Sequence, residues 1–217
     1  MIIDCISDLH GHYPKLDGGD LLIVAGDLTA SDTVDNFLHF VSWIRNQDYE
    51  EIIVIGGNHD NYLQNLLKPE DIEDAGEFTY LCDSGTEFQG LKIWGSPCTK
   101  TFKGMNPHCK AFICDTEEEL AEKWALIPDD VDILITHSPP YGILDKCSSG
   151  HVGSGTLAVK IMDRPSIMLH VFGHIHEGYG KHKASPPEVN EHRRTFVNAS
   201  HVNEHYEPVN KPIRVIL

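Results

Sequence analysis

Short apolar runs recur along the chain: Ile2–Ile6, Leu21–Ala25, Ile52–Ile55, Val131–Ile135, Leu169–Phe172, Thr195–Val197 and Ile213–Leu217. Each is rich in Ile, Val or Leu and bounded by Gly, Pro, Asp or Asn, the pattern of strands buried on both faces. Helical periodicity fills some of the intervals. Ser31 or Asp32 is placed to cap a helix carrying Val34, Phe37, Leu38, Val41 and Ile44 at a period of about 3.6 residues. Thr116 and Glu119 form a capping-box pattern before Leu120, Ala121 and Trp124, and a third helix is predicted over Thr156–Asp163. Phe78–Cys82, Glu87–Phe88 and Leu91–Trp94 read as antiparallel strands, with Gln89-Gly90 as a turn. The polar stretch Lys181–Arg194, which contains Pro186-Pro187, reads as a surface excursion. The pattern predicts an α/β chain with a mixed sheet component.

The residues just beyond the strands carry the chemistry. After Ile6 comes Ser7-Asp8-Leu9-His10, after Ala25 Gly26-Asp27, and after Ile55 Gly56-Gly57-Asn58-His59-Asp60. After Ile135 comes Thr136-His137, and after Phe172 Gly173-His174-Ile175-His176. In open α/β sheets ligands bind beyond the carboxyl ends of the strands, so these loops are expected to converge on one rim. In an extended chain residues i and i+2 point the same way, which would let Asp8 and His10, or His174 and His176, act in pairs. Carboxylate, amide and imidazole donors suit Mn, Fe, Zn or Ni better than a thiolate-selective metal. Two carboxylates, one amide and four imidazoles exceed the needs of one ion, so two ions sharing a carboxylate are expected.

Length and charge narrow the substrates. The 217 residues suit one domain spanning 1–217, and no apolar run approaches the roughly 18 residues of a membrane span. Lys and Arg number 17 against 33 Asp and Glu, a net charge of −16. Such a chain has no basic face for a long nucleic acid, whereas metal ions could neutralise a small anion locally. The six cysteines (Cys5, Cys82, Cys98, Cys109, Cys114, Cys147) form no C-x-x-C pair, and Met1-Ile2-Ile3-Asp4-Cys5 has no basic leader. Reduced thiols and a cytoplasmic location are therefore expected.

Asp8-x-His10, Gly26-Asp27, Gly57-Asn58-His59-Asp60, Thr136-His137 and Gly173-His174-x-His176 together resemble the motif set of the calcineurin-like metallophosphoesterase superfamily. Thr136-His137-Ser138-Pro139-Pro140, the run Leu169–Gly180 and Asn198-Ala199-Ser200 resemble its metallophosphoesterase-domain branch. Some animal members of that branch have Gly where this chain has His174, so both metal sites are expected intact. The resemblance implies two facing mixed β-sheets flanked by helices. It implies one metal on Asp8, His10, Asp27 and His176, and a second on Asp27, Asn58, His137 and His174, with manganese the first expectation. His59 would stand beside the phosphate as general acid or electrostatic stabiliser, Asp60 would orient it, and Asn58 would also border the substrate. The implied reaction is hydrolysis of a phosphoester by metal-activated hydroxide, with small diesters such as cyclic nucleotides the favoured substrates. A phosphomonoesterase or protein phosphatase, or a metal-containing scaffold with little turnover, are the alternatives; the presence of His59 and every donor type weighs against the scaffold.

Tyr141, His151 and Tyr179 are candidates for the wall that contacts the substrate's leaving group or base. His201-Val202-Asn203-Glu204-His205 matches an inverted zinc-protease spacing, but that motif needs a helix, and here Pro208 and a preceding strand argue against one. Gly150-His151-Val152-Gly153-Ser154-Gly155 lacks a Walker lysine and reads as a loop into a helix.

Overall fold

Alternation along the buried strands sends successive side chains into two different cores. Leu22 and Val24 face one apolar cluster while Leu21 and Ile23, on the same strand, face another. The computed structural model describes residues 1–66, 72, 77–101, 104, 106–184 and 194–217. Its strands are β1 Ile2–Ile6, β2 Gly19–Ala25, β3 Tyr49–Ile55, β4 Thr79–Tyr80, β5 Ser84–Phe88, β6 Leu91–Ser96, β7 Thr99–Lys100 and β8 Ile113–Cys114. They continue with β9 Ile133–Thr136, β10 Lys146–Cys147, β11 Gly150–His151, β12 Leu169–Phe172, β13 Gly180–Ala184, β14 Arg194–Asn198 and β15 Ile213–Ile216. The helices are α1 Val34–Ile44, α2 Asn61–Leu66, α3 Glu117–Ala125 and α4 Gly155–Met162.

Two mixed sheets carry the fold, one ordered β15-β1-β2-β3-β4 and the other β13-β14-β12-β9-β6-β5. Strands β1 to β4 run parallel, as do β6, β9, β12 and β14, and the antiparallel strands β15, β13 and β5 close three of the four edges. Between the sheets lies a core that includes Ile3, Ile23, Ile53, Ile133, Val171 and Val197. The outer face of the first sheet packs on Phe37, Phe40, Val41 and Ile44 of α1. The outer face of the second packs on Leu120 and Trp124 of α3 and on Leu157 and Ile161 of α4. The layering is helix, sheet, sheet, helix, which is the predicted architecture. Among the described residues no helix is long and apolar enough to cross a membrane.

Several boundaries differ for local reasons. The N-cap of α1 is Thr33, whose Oγ1 accepts the Asn36 N–H at 3.3 Å. Ser31 lies before the cap and donates its backbone N–H to Asn36 Oδ1, and the Asp32 carboxylate accepts the N–H of Tyr62 from α2. Thr116 caps α3 as predicted, but Glu119 returns to the N–H of Asp115. β4 is parallel to β3, not part of an antiparallel set, while β5 and β6 do pair antiparallel. Gln89 and Gly90 join them with φ of 47° and 81°, the left-handed pair of a tight hairpin. Part of the Lys181–Arg194 excursion is the edge strand β13, and residues 185–193 lie outside the described residues.

One ion pair, buried on its carboxylate side, ties the C-terminal strand to the sheet. Arg214 donates Nε to Asp4 Oδ1 and Nη2 to Asp4 Oδ2, each at 2.8 Å, and Tyr49 adds its hydroxyl at 2.6 Å. Burial alone would raise the Asp4 carboxyl, but these bonds hold it below its ordinary 3.8. Its contribution to stability is therefore full above that value and is lost as pH falls through the lower folded value. Asp4→Asn is expected to cost about 2–3 kcal/mol near neutral pH, the scale of hydrogen bonds to a charged group. Urea unfolding of metal-free protein should show that gap and its closure in acid; equal stability near neutrality would contradict it.

Candidate metal centre

The parallel strands of both sheets deliver their carboxyl ends to one rim, but not in the extended form the spacing suggests. Asp8, His10, Asp27 and His174 have φ of 50°, 43°, 54° and 68°, all left-handed. β1, β2 and β12 therefore end in sharp reversals, and Asp8, His10, Asp27 and His174 reach the rim through these turns and not through i, i+2 alternation. Such backbone costs of order 1–3 kcal/mol per residue unless its surroundings enforce it. Here Asp8 donates its N–H to Gly26 O at 2.9 Å, and His10 to Asp27 O at 3.0 Å. His174 donates its N–H to both oxygens of Asp8, at 3.1 and 3.0 Å. Two glycines make room for this approach. A Cβ on Gly173 would collide with the Asp8 carboxylate and the Ser7 hydroxyl, and one on Gly57 with the Asp27 carboxylate.

These turns gather the donors into three groups. Asp8, His10 and His176 form one, Asp27, His137 and His174 another, and His10, Asp27 and His59 a third; within each group the ligand atoms lie within 4.8 Å of one another. Asp27 Oδ2 stands 3.7 Å from His10 Nε2 and 3.3 Å from His137 Nε2, so one carboxylate faces both sides. Asp8 Oδ1 lies 3.3 Å from His176 Nε2, and Asn58 Oδ1 lies 3.3 Å from His137 Nε2. His137 donates Nδ1–H to Ala25 O at 2.8 Å, and His176 donates Nδ1–H to Asn203 O at 3.0 Å. A carbonyl can only accept, so each ring turns Nε2 toward the carboxylates, the arrangement usual for metal-bound imidazole.

The electrostatics fit divalent cations. Asp8 and Asp27 are both buried and held ionised, and among the described residues no lysine or arginine pairs with either of them, whereas burial and the neighbouring Asp27 push the Asp60 carboxyl well above its ordinary value. Buried charge persists only when it is paired or coordinates a metal. Burial would raise the Asp27 carboxyl, but His137, His59 and His10 hold it well below its ordinary value. Burial would lower His137, yet Asp27 beside it lifts the imidazole to about 9. Burial pushes His10 down to about 4, leaving it neutral, and its Nε2 is a buried atom without a hydrogen-bond partner. An orphaned imidazole nitrogen facing a carboxylate is the clearest local sign that a cation belongs between them.

His59 borders the same space. Its N–H donates to Asp27 Oδ1 at 2.9 Å, its Nε2 is 4.0 Å from Asp27 Oδ2, and the ring stays partly exposed. Asp60 does not reach it. That carboxylate instead accepts the N–H of Gly57 at 2.8 Å and of Leu28 at 3.1 Å, bracing the loops that carry Asn58 and Asp27. The atom against His59 Nδ1 is Cys109 Sγ, at 3.2 Å, from a loop that no motif marked. Tyr141 and His151 pack on each other, 5.7 Å between ring centroids, and Asp145 holds His151 Nδ1 at 2.6 Å. Tyr179 spends its hydroxyl on Lys211 O at 2.8 Å. The ring that meets the histidines is Tyr206, 4.8 Å from His10 and 5.3 Å from His176. His201 is buried and bonded to Asn210 O, and His205 is exposed on a non-helical turn, so no protease site forms there.

The family model for calcineurin-like phosphoesterases matches residues 1–178, the span that contains every donor above. The chain belongs to that family. It is 36% identical to Metallophosphoesterase domain-containing protein 1 of Homo sapiens, over 98% of this chain and 70% of that protein. The Mus musculus protein of the same name matches equally, with 36% identity over 98% of this chain and 70% of its own. Probable rhamnogalacturonate lyase C of Emericella nidulans shares 39% identity over 82% of this chain, which is 17% of that protein. As a calcineurin-like phosphoesterase the chain is a metal-dependent hydrolase of phosphoesters, and the family usually binds two divalent ions.

Metal analysis of manganese-loaded, dialysed protein should return two ions per chain. Asp27→Asn should lose both, because Oδ2 alone faces both groups, whereas His176→Ala should lose one. One ion per chain in fully active wild type would overturn the paired arrangement.

Proposed function

We propose that the chain is a single phosphodiesterase domain over residues 1–217, acting on small diesters, cyclic nucleotides among them. Asp8, His10, Asp27 and His176 would hold one divalent ion, and Asp27, Asn58, His137 and His174 the other, with manganese the first candidate. The observation that carries this reading is Asp27 Oδ2, poised between His10 Nε2 at 3.7 Å and His137 Nε2 at 3.3 Å. When bound, such ions lower the pKa of water toward neutrality and neutralise phosphate oxygens. The chain's own residues do the rest. Asp8 and Asp27 keep the donors in register, and the Gly57–Asp60 turn, braced by Asp60, presents Asn58 and His59 together. His59 supplies a proton to the leaving oxygen from its partly exposed ring, without a nucleophilic side chain.

Charge supports a small substrate. A chain of net charge −16 repels a polyanion everywhere except at the ions, whereas a diester presents one phosphate. The six free cysteines favour a reducing, cytoplasmic setting.

His59→Ala should keep its metal but lose ~10²–10⁴-fold in turnover on a diester with a poor leaving group, the usual scale of acid–base catalysis. The loss should shrink for a nitrophenyl diester, which needs little protonation; equal losses would remove His59 as the acid.

Cyclic nucleotides, a nitrophenyl diester, a nitrophenyl monoester and a labelled oligonucleotide, compared at one salt concentration, test the substrate class. The cyclic and nitrophenyl diesters should lead in kcat/KM. A leading monoester would make the chain a phosphomonoesterase, and a leading oligonucleotide a nuclease.

A further inference from the structure

The loop after β14 is built more tightly than a connection to β15 requires. Ser200 Oγ donates to Asp8 Oδ2 at 2.8 Å, and the N–H of His201 to Ser7 O at 2.8 Å. Asn203 then organises the turn. Its Oδ1 accepts the N–H groups of His205 and Glu207, each at 2.9 Å, and its Nδ2 donates to Glu207 Oε2 at 2.8 Å. Its carbonyl accepts both His176 Nδ1–H at 3.0 Å and the N–H of Tyr206 at 2.9 Å. The same peptide oxygen therefore orients a candidate metal ligand and fixes the residue beside it.

That residue is held at a cost. Tyr206 has φ of 60°, a conformation uncommon for any residue other than glycine and strained for a bulky one. The strain delivers its ring edge-on to His10 at 4.8 Å, to His176 at 5.3 Å and to His59 at 6.3 Å. The ring is nonetheless 49% exposed, so it forms a wall of the opening and not a plug in the core. Among the described residues its hydroxyl has no hydrogen-bond partner, in contrast to Tyr179, whose hydroxyl is committed to Lys211 O. A polar tip left unused beside a half-exposed aromatic face points to the ring as the working part.

We propose that Tyr206 determines specificity at this centre: its ring is the platform for the planar ester group, a nucleobase or aryl group, of a phosphate bound beside His59. This rests on the phosphoesterase reading above and adds to it the residue that recognises the non-phosphate half of the substrate. Stacking on an aromatic side chain is tolerant of base identity, because every base has a π face. The site is thus expected to prefer planar esters over alkyl ones while discriminating weakly among bases.

Calorimetric titration of manganese-loaded protein with adenosine 5′-monophosphate and with inorganic phosphate tests this without turnover. Tyr206→Ala should weaken the nucleotide by ~5–100-fold, the range that loss of one base–aromatic stack produces. Phosphate affinity and metal content should stay as in wild type. Tyr206→Phe should keep nucleotide affinity within about threefold, since it keeps the ring. Equal weakening of nucleotide and phosphate would make Tyr206 a support for the metal donors, and a Phe variant as weak as the Ala variant would assign the effect to the hydroxyl; either overturns the platform. Nucleotide binding unchanged in the Ala variant overturns it as well. Wild type that binds neither phosphate nor nucleotide would instead remove the phosphoesterase reading itself.

Discussion

A carboxylate can stay ionised inside a protein only where its charge is answered, and Asp27 is 2% exposed at the seam between two sheets. Its position is set by β2, whose last residue Ala25 is succeeded by the left-handed pair Gly26 and Asp27. One oxygen takes the N–H of His59 from the loop after β3, and the other faces His10 from β1 and His137 from β9. The first sheet supplies the carboxylate and the second supplies an imidazole directly opposite. Hydrogen bonds span the same gap, from His201 N–H to Ser7 O, from Ser200 Oγ to Asp8 Oδ2 and from His137 Nδ1 to Ala25 O, and together with the carboxylate–imidazole pairs they hold those strand ends close. The centre is thus as much the clasp of the two sheets as their active surface, and the left-handed backbone at Asp8, His10 and His174 is tolerated because that clasp enforces it.

Much of this was legible in the sequence, and the reason is repetition. Strands buried on both faces announce themselves as apolar runs, and Ile2–Ile6 and Leu169–Phe172 have the ends their composition predicts. β2 and β3 begin earlier than their apolar runs, at Gly19 and Tyr49, because polar residues pair in the register at the open end of the sheet. A donor directly after each run is a one-dimensional signal with a three-dimensional cause, since parallel strands put all such ends on one rim. What escaped was whatever depends on a side chain finding a partner far along the chain. Asp60 looks like an orienter of His59 because it is next to it, yet its carboxylate folds back onto Leu28 and Gly57. Cys109 meets His59 from 50 residues away, and nothing in its neighbourhood marks it. Tyr206 comes just after a discarded histidine motif. The hint there was Asn198-Ala199-Ser200, a polar strand end like the other five, whose loop had to lie on the same rim.

The distribution of cations completes the electrostatic argument. Arg194 is buried on β14 but donates to the carbonyls of Ile167 and Ile161, closing the end of α4. Arg214 is bound to Asp4 on the far side of the first sheet, and Lys123 to Asp83. These basic side chains serve the scaffold, and the donors at the rim are carboxylate, amide and imidazole. A protein that binds phosphate through arginine or lysine carries that affinity permanently and carries it for any polyanion. A protein that leaves the positive charge to metal ions confines it to a few ångströms between buried carboxylates, within an otherwise repulsive surface. On the proposed reading, affinity for an anion would be set by metal loading, and a substrate would bring its phosphate into the opening beside Tyr206 and His59 to meet it. On that reading the acidic composition and the metal-ligating rim would act as one device: the first would repel long anions, and the second would admit a single phosphate.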